Sequence, residues 1–385
     1  MASTIIDPLE SQVGGHAGVL TIQNGALRIK PAVPTELAFY QRLQQDSNLE
    51  DLRPFTPTFL GTLKLMGKVD EAGSAASESI VLESVASESE EKDEYLVFFI
   101  SQSGQFLILT FFFFFFFFGN PQSIVLENLS YSFLKPNILD IKLGTVLYDE
   151  NASPEKVARM QKHARETTSL ETGVRLTGFQ VSSLAFVLVS NSFPLHPLNF
   201  QVYDNITRQH VLTPKSYGRS LKAAQLGEGI AKFFPVGSPT PNMPGTSSSG
   251  LPKETLEPIL RAIYSEIAEI RQVYSTLEIR MVGASLLIIY EADWTRAEQS
   301  LTTSSEEEDE KDKDDEIDVD DDGDDDDDDE DESNSKRPGP PFVTKLIDFA
   351  HTRLAPGEGP DQSVLIGLDT VLKLLDARLE EIGTS

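Results

Sequence analysis

The nine residues Pro136-Asn137-Ile138-Leu139-Asp140-Ile141-Lys142-Leu143-Gly144 constrain the fold of this chain more than any other stretch. They alternate as a β-strand does, so Leu139, Ile141 and Leu143 point into a core while Asp140 and Lys142 project together from the opposite face. A strand with a carboxylate and an ammonium on one face needs either solvent over that face or a site that uses both charges. On spacing alone, an exposed ion pair and a phosphate-handling site explain the pair equally well.

A chain of 385 residues with 39% apolar content can bury one large core or two modest ones. It has no cysteine, and its five histidines form no His-x-x-His pair, which excludes a disulfide framework and a zinc motif and fits a reducing compartment. The first residues lack the basic-then-apolar order of a secretory signal. The net charge of −29 is localised: between Glu306 and Glu332, 22 acidic residues stand against two lysines, so that run carries −20 of it. Such a segment cannot bury enough apolar surface to offset its ordering entropy, so an extended acidic insert is expected over 303–338. Its alternative role is docking basic nuclear proteins, and it argues against nucleic acid as a direct ligand.

Along the chain, residues 19–30 alternate around Asn24-Gly25 as a hairpin, and Pro34–Gln45 is a helix with Glu36 in its first turn. Residues 70–94, rich in Ser, Glu and Ala, read as a flexible insert, and Leu96–Ile100 as a strand. Eight consecutive phenylalanines, Phe111–Phe118, end an apolar run of 13 residues, shorter than the ~20 a membrane helix needs. Phenylalanine codons contain only pyrimidines, so this run is what a polypyrimidine tract encodes. We read 104–122, and by its encodable splice signals 181–201, as intron-derived; spliced transcripts containing both segments would refute that. Ser153-Pro154-Glu155 carries the start signals of a helix on which Lys156, Arg159 and His163 share a face, with Lys162 at its edge and Val157, Met160 and Ala164 as the apolar stripe. A basic helical face is ordinarily only solvated; here it begins nine residues after Gly144, close enough to wall a polyanion pocket. Helical spacing over 253–275 and 361–382, buried strands at Met281–Tyr290 and Phe342–Phe349, and a Pro-, Gly- and Ser-rich linker at 236–250 complete the outline.

The nine residues match the signature P-x-x-x-D-x-K-x-G, and the chain resembles the inositol polyphosphate kinase family, in particular its fungal multikinases. Gln12–Gly18, Ile29-Lys30-Pro31, Ile124–Leu129, Ser216–Ser220, Ser285–Leu287 and Ile347–Thr352 match further segments in the family's order. The resemblance implies an α+β, two-lobed fold, kinase-like and ATP-grasp-like, with antiparallel sheets and flanking helices. Residues 1–128 would form the small lobe and 129–385 the large one. It implies ATP and Mg²⁺ as cofactors, with Lys30 on the ATP phosphates, the backbone of Glu127 and Leu129 on adenine, and Asp348 on the metal. Asp140 would lie by the ribose and the reacting centre, with general base as the bolder assignment, and Lys142 would reach the transferred phosphate and the substrate. Lys156, Arg159, Lys162, His163, Lys215 and Arg219 (from a Tyr217-Gly218-Arg219 loop) and His351 would bind the inositol phosphate. Arg219 as a salt bridge and His351 as a turn cap are the structural alternatives. The implied reaction converts inositol trisphosphate to tetrakis- and pentakisphosphate, in a monomer of nucleus and cytoplasm without a membrane span. A hexakisphosphate or trisphosphate 3-kinase of the same family, or a non-catalytic scaffold acting through the acidic tract, are the alternatives.

Overall fold

The computed structural model describes residues 4–8, 20–22, 25–64, 79–82, 96–99, 122–177, 198–205, 208–237, 250–303 and 339–384. The small lobe is a seven-stranded sheet of β1 (Thr4–Pro8), β2 (Leu20–Ile22), β3 (Leu27–Pro31), β4 (Phe59–Lys64), β5 (Ser79–Leu82), β6 (Leu96–Phe99) and β7 (Gln122–Glu127), in the order β4-β7-β3-β2-β1-β6-β5. Helix α1 (Pro34–Gln45) follows β3, with proline where a missing N–H costs nothing, and a 3-10 helix (Ser47–Phe55) returns the chain to β4. The expected hairpin forms, with Leu20 opposite Ile29 and Thr21 opposite Arg28.

The large lobe is built on β8 (Pro136–Leu143). Around it lie β9 (Val174–Thr177), β10 (Leu198–Asp204), β11 (Gln209–Pro214), β15 (Ser285–Glu291) and β16 (Phe342–Ile347), in the order β11-β10-β8-β15-β16 with β9 also against β8. Two short pairs, β12 (Val236–Gly237) with β13 (Leu251–Pro252) and β14 (Ile279–Met281) with β17 (Thr352–Leu354), tie loops down. The register places Asp140 opposite Leu287 and Lys142 opposite Ser285, and Leu287 in turn opposite Lys345. These residues therefore share one sheet face, which looks toward the small lobe. The other face carries Leu139, Ile141, Leu143, Leu286 and Ile288, all fully or almost fully buried. It joins the core that includes Leu256, Ile259, Ile263 and Ile267 of one long helix (Lys253–Tyr274) and Val364, Leu368 and Leu375 of another (Gln362–Thr384). Each such side chain contributes about 1.5–3 kcal/mol of burial, so the strand is pinned by the face that does no chemistry.

Three expectations change. The stretch read as one strand over Met281–Tyr290 is β14 and β15, because the chain turns through Gly283 between them. Inside the insert 70–94, the β-branched run Ser79–Leu82 pairs with β6; composition averaged over the segment hid it. The Tyr217-Gly218-Arg219 segment is a short helix, Lys215–Ser220, and no loop. Of the segments read as intron-derived, only Gln122, which opens β7, and Leu198–Gln201, which open β10, are among the described residues. The acidic insert lies outside them except Thr303. No helix among the described residues is long and apolar enough to cross a membrane.

Candidate active site

Where the two lobes meet, one carboxylate is gripped from both. Lys142 Nζ, from β8, donates to Asp348 Oδ2 at 2.6 Å and to the Gly283 carbonyl at 3.2 Å. Lys30 Nζ, from β3, donates to Asp348 Oδ1 at 3.3 Å and to Glu36 Oε1 at 2.8 Å. Burial alone would raise the Asp348 carboxyl, but the charges and hydrogen bonds of Lys142 and Lys30 outweigh it and hold the group well below the usual carboxylate range. Asp348 sits just past the end of β16 with φ 68, a left-handed backbone that aspartate tolerates better than most residues. The next residues hold it there. Phe349 is fully buried, stacked on Phe39 with ring centroids 4.7 Å apart and edge-on to Tyr40 at 5.4 Å, and Thr35 Oγ1 donates to the Ala350 carbonyl at 2.6 Å. Helix α1 of the small lobe thus anchors the turn that presents Asp348.

Asp140 lies on the same face, 2% exposed, and its Oδ1 is buried with no hydrogen bond of ordinary geometry among the described residues, although the side chains of Ser285 and Thr177 lie near enough to pull its pKa down somewhat. Burial raises its pKa, the Asp348 carboxylate adds to the effect, and Lys142 opposes it. Lys142 is the mirror case: burial would lower it, but Asp140 and Asp348 together push it up, so it stays charged. An orphaned carboxylate oxygen this deep is costly unless something that donates comes to it.

Two further clusters flank this centre. Lys156, on the helix Pro154–Glu166, and His351, just beyond Asp348, meet on one carboxylate: Lys156 Nζ lies 3.0 Å and His351 Nδ1 3.4 Å from Asp149 Oδ2. That helix starts as its sequence requires, with Ser153 Oγ accepting from the Lys156 N–H. His163 of the same helix meets Arg175, with Nε2 2.7 Å from the guanidinium Nη1, so this ring nitrogen is the acceptor. Arg175 stands opposite Lys142 across β8 and β9. Arg159 is exposed on the same helix. Lys162, at the edge of the basic arc, has a side chain that is 73% exposed and lies 3.7 Å from Glu166. Lys215 and Arg219 lie on the short helix Lys215–Ser220, and their side chains fall outside the described residues.

At the junction between lobes, Glu127, Asn128 and Leu129 line a cavity of about 450 Å³, bounded across it by Arg53, Val343 and Lys345. Glu127 is committed to Thr58, just before β4, through its own N–H to the Thr58 carbonyl at 3.1 Å and through Oε1, which accepts from the Thr58 N–H at 2.9 Å. The Leu129 N–H donates to nothing among the described residues. Arg175, Asp149 and the pairing role of Glu36 escaped the sequence reading. Arg175 carried a signal, a lone cation within the alternating Val174-Arg175-Leu176-Thr177; the other two are defined only by what folding brings to them.

Two lobes joined at a backbone hinge, a lysine–glutamate pair above and a strand-end carboxylate below, define a kinase-type phosphotransferase. The family model described as inositol polyphosphate kinase matches residues 123–376. The chain is 34% identical over 382 residues to the inositol polyphosphate multikinase of Saccharomyces cerevisiae, covering 95% of this chain and 96% of that one. It is 26% identical over 267 residues to human inositol hexakisphosphate kinase 1, covering 67% of this chain and 53% of the relative. The crystal structure of the inositol phosphate multikinase Ipk2 of S. cerevisiae in complex with ADP and Mn²⁺ superposes with a TM-score of 0.51 at 27% identity, covering 92% of this chain and all of that one. This chain belongs to the inositol polyphosphate kinase family.

Proposed function

We propose that this chain phosphorylates inositol trisphosphate to tetrakis- and pentakisphosphate, with ATP as donor and Mg²⁺ as the cation. The observation that carries the reading is Asp348 clamped between Lys30 and Lys142, with Asp140 beside them and a basic wall beyond. Among the described residues no three His, Cys, Asp or Glu side chains cluster as a metal cage. That fits a cation held by one or two carboxylates and completed by nucleotide phosphates and water, the usual arrangement for Mg²⁺. Asp348 is the ligand offered, already ionised and fixed in position. Asp348 would hold such a cation, which would supply charge neutralisation for the transferring phosphoryl group.

The protein's own part is placement. Lys30, steadied by Glu36, takes the donor phosphates, and the free Leu129 N–H takes the base edge. Asp140 supplies the acceptor oxygen for a nucleotide hydroxyl. Lys142 exchanges Asp348 for the transferred phosphate, a move of a few ångströms that needs no change in its own charge. Lys156, His351, Arg175 and Arg159 gather the phosphates of the acceptor, a density of donors that a polyanionic ring requires. The hydroxyl attacked is the one this wall leaves pointing at Lys142.

The test is to incubate the purified full chain with ATP, Mg²⁺ and labelled inositol phosphates carrying three to six phosphates and to separate the products. Conversion of trisphosphate through tetrakis- to pentakisphosphate is expected. Turnover of hexakisphosphate alone would overturn the substrate assignment, and no product from any acceptor would overturn the kinase reading.

A further inference from the structure

Arg28 is a cation in the cleft that nothing so far explains. It lies two residues before Lys30 on β3, so the two side chains project from the same face, while Ile29 between them is 3% exposed on the other. The β3–β7 register sets Lys30 opposite Ile124 and Arg28 opposite Leu126, one residue from Glu127, so Arg28 stands one strand step nearer the hinge. It is half-buried, and its guanidinium makes no ion pair or hydrogen bond among the described residues. The carboxylates that might have served it are engaged elsewhere: Glu127 on the Thr58 N–H, Glu36 on Lys30, and Asp348 on both lysines. Burial pulls its pKa down, with Asp348 and Tyr40 opposing. An arginine nevertheless remains charged, and an enclosed charge with no directly paired counterion among the described residues, only the nearby field of Asp348, carries a cost that an anionic ligand removes.

We propose that Arg28 is a nucleotide-phosphate contact, its guanidinium taking non-bridging oxygens on the base side of those held by Lys30. The placement supports this. The hinge end of the cleft offers the unused Leu129 N–H and the far end offers Lys30 and Asp348, and Arg28 lies between the two along β3. Two residues of strand span roughly 6.6 Å, so Arg28 and Lys30 approach a ligand lying along β3 from two separate points. A planar fork of donors also suits paired phosphate oxygens better than an ammonium does.

The inference rests on the ATP reading, and the test separates the two. ATP, ADP and AMP with Mg²⁺, and adenosine, are titrated calorimetrically into the full chain, into Arg28→Met and into Arg28→Lys. Arg28→Met is expected to weaken ATP and ADP by about tenfold to a hundredfold, the size of a charge-assisted hydrogen bond, and to leave adenosine unchanged. Arg28→Lys recovers part of the loss, the KM for inositol phosphate stays put, and unliganded Arg28→Met melts no lower than the wild type because it loses an uncompensated charge. Equal weakening of adenosine and ATP assigns Arg28 to the base and overturns the proposal. So does unchanged ATP affinity, or a lowered melting temperature that lysine does not restore. A wild-type chain that binds none of the four ligands refutes the ATP reading itself and takes this inference with it.

Discussion

Replacing Asp348 by asparagine keeps the side chain's shape and its left-handed backbone while removing one charge, and the consequences divide cleanly. Lys30 still has Glu36 at 2.8 Å; Lys142 keeps the Gly283 carbonyl at 3.2 Å but loses its carboxylate at 2.6 Å. Breaking a fully buried ion pair costs about 3–5 kcal/mol. Here the side chains of Lys142 and Asp348 are 22% and 19% exposed, and only one of the two lysines loses its hydrogen-bonded carboxylate while keeping the Gly283 carbonyl and the nearby charge of Asp140. The expected loss is therefore about 2 kcal/mol, below that range because solvent screens part of the charge. Asp348→Ala adds the strain of a side chain with no local hydrogen bond at φ 68, about 1 kcal/mol more. Urea unfolding of the unliganded variants at pH 7 reads both differences, and kcat should fall on the order of a thousandfold in each. The folded-state pKa of Asp348 is depressed, so its contribution to stability is complete above the unfolded value of about 4 and drains away as pH falls toward the folded one. In Asp348→Asn, that acid-side slope should flatten. An asparagine variant as stable as the wild type refutes the ion-pair account, and an alanine variant equal to asparagine refutes the strain account.

Asp140→Asn should move stability the other way. The folded-state pKa of Asp140 is raised, so its ionised form opposes folding above the unfolded value; the amide should stabilise the unliganded protein at pH 7 while activity drops about a hundredfold, and a less stable variant would contradict this. Lys162→Ala should leave stability within about 0.5 kcal/mol and the inositol phosphate KM unchanged, whereas Arg175→Met should raise that KM about tenfold or more; steady-state kinetics on both reverses the assignment if the order is opposite. Gly173→Ala should cost about 3 kcal/mol by thermal or urea unfolding, since its φ is 68 and an added Cβ would stand 2.7 Å from the backbone nitrogen of Gly367 in the helix Gln362–Thr384; a variant of wild-type stability would mean that this helix packs against Gly173 more loosely than described.

Much of this was legible before folding because local chemistry carried it. Pro34 and Ser153 announced their helices, Asn24-Gly25 its hairpin, and the alternation of 136–144 the strand whose one face is core and whose other face is chemistry. What stayed hidden was relational. No spacing links Asp149 to both Lys156 and His351, because that carboxylate is joined to one helix and one distant loop only by tertiary structure. For Lys162 a helical wheel gives an angle at the edge of the basic arc, and it does not foretell the pairing with Glu166 on the exposed side. Arg28 sat in plain view within Leu27-Arg28-Ile29-Lys30, yet only the lack of a hydrogen bond or ion pair among the described residues makes it informative.

The wedge of Phe349 between Phe39 and Tyr40 bears on how such a molecule turns over. Had Asp348 been mounted on the large lobe alone, the lobes could swing apart like a clam with that carboxylate left behind in the lower shell. With its neighbouring ring clasped by the upper shell, Asp348 is tied to both halves, so a gape between them would tug on that carboxylate.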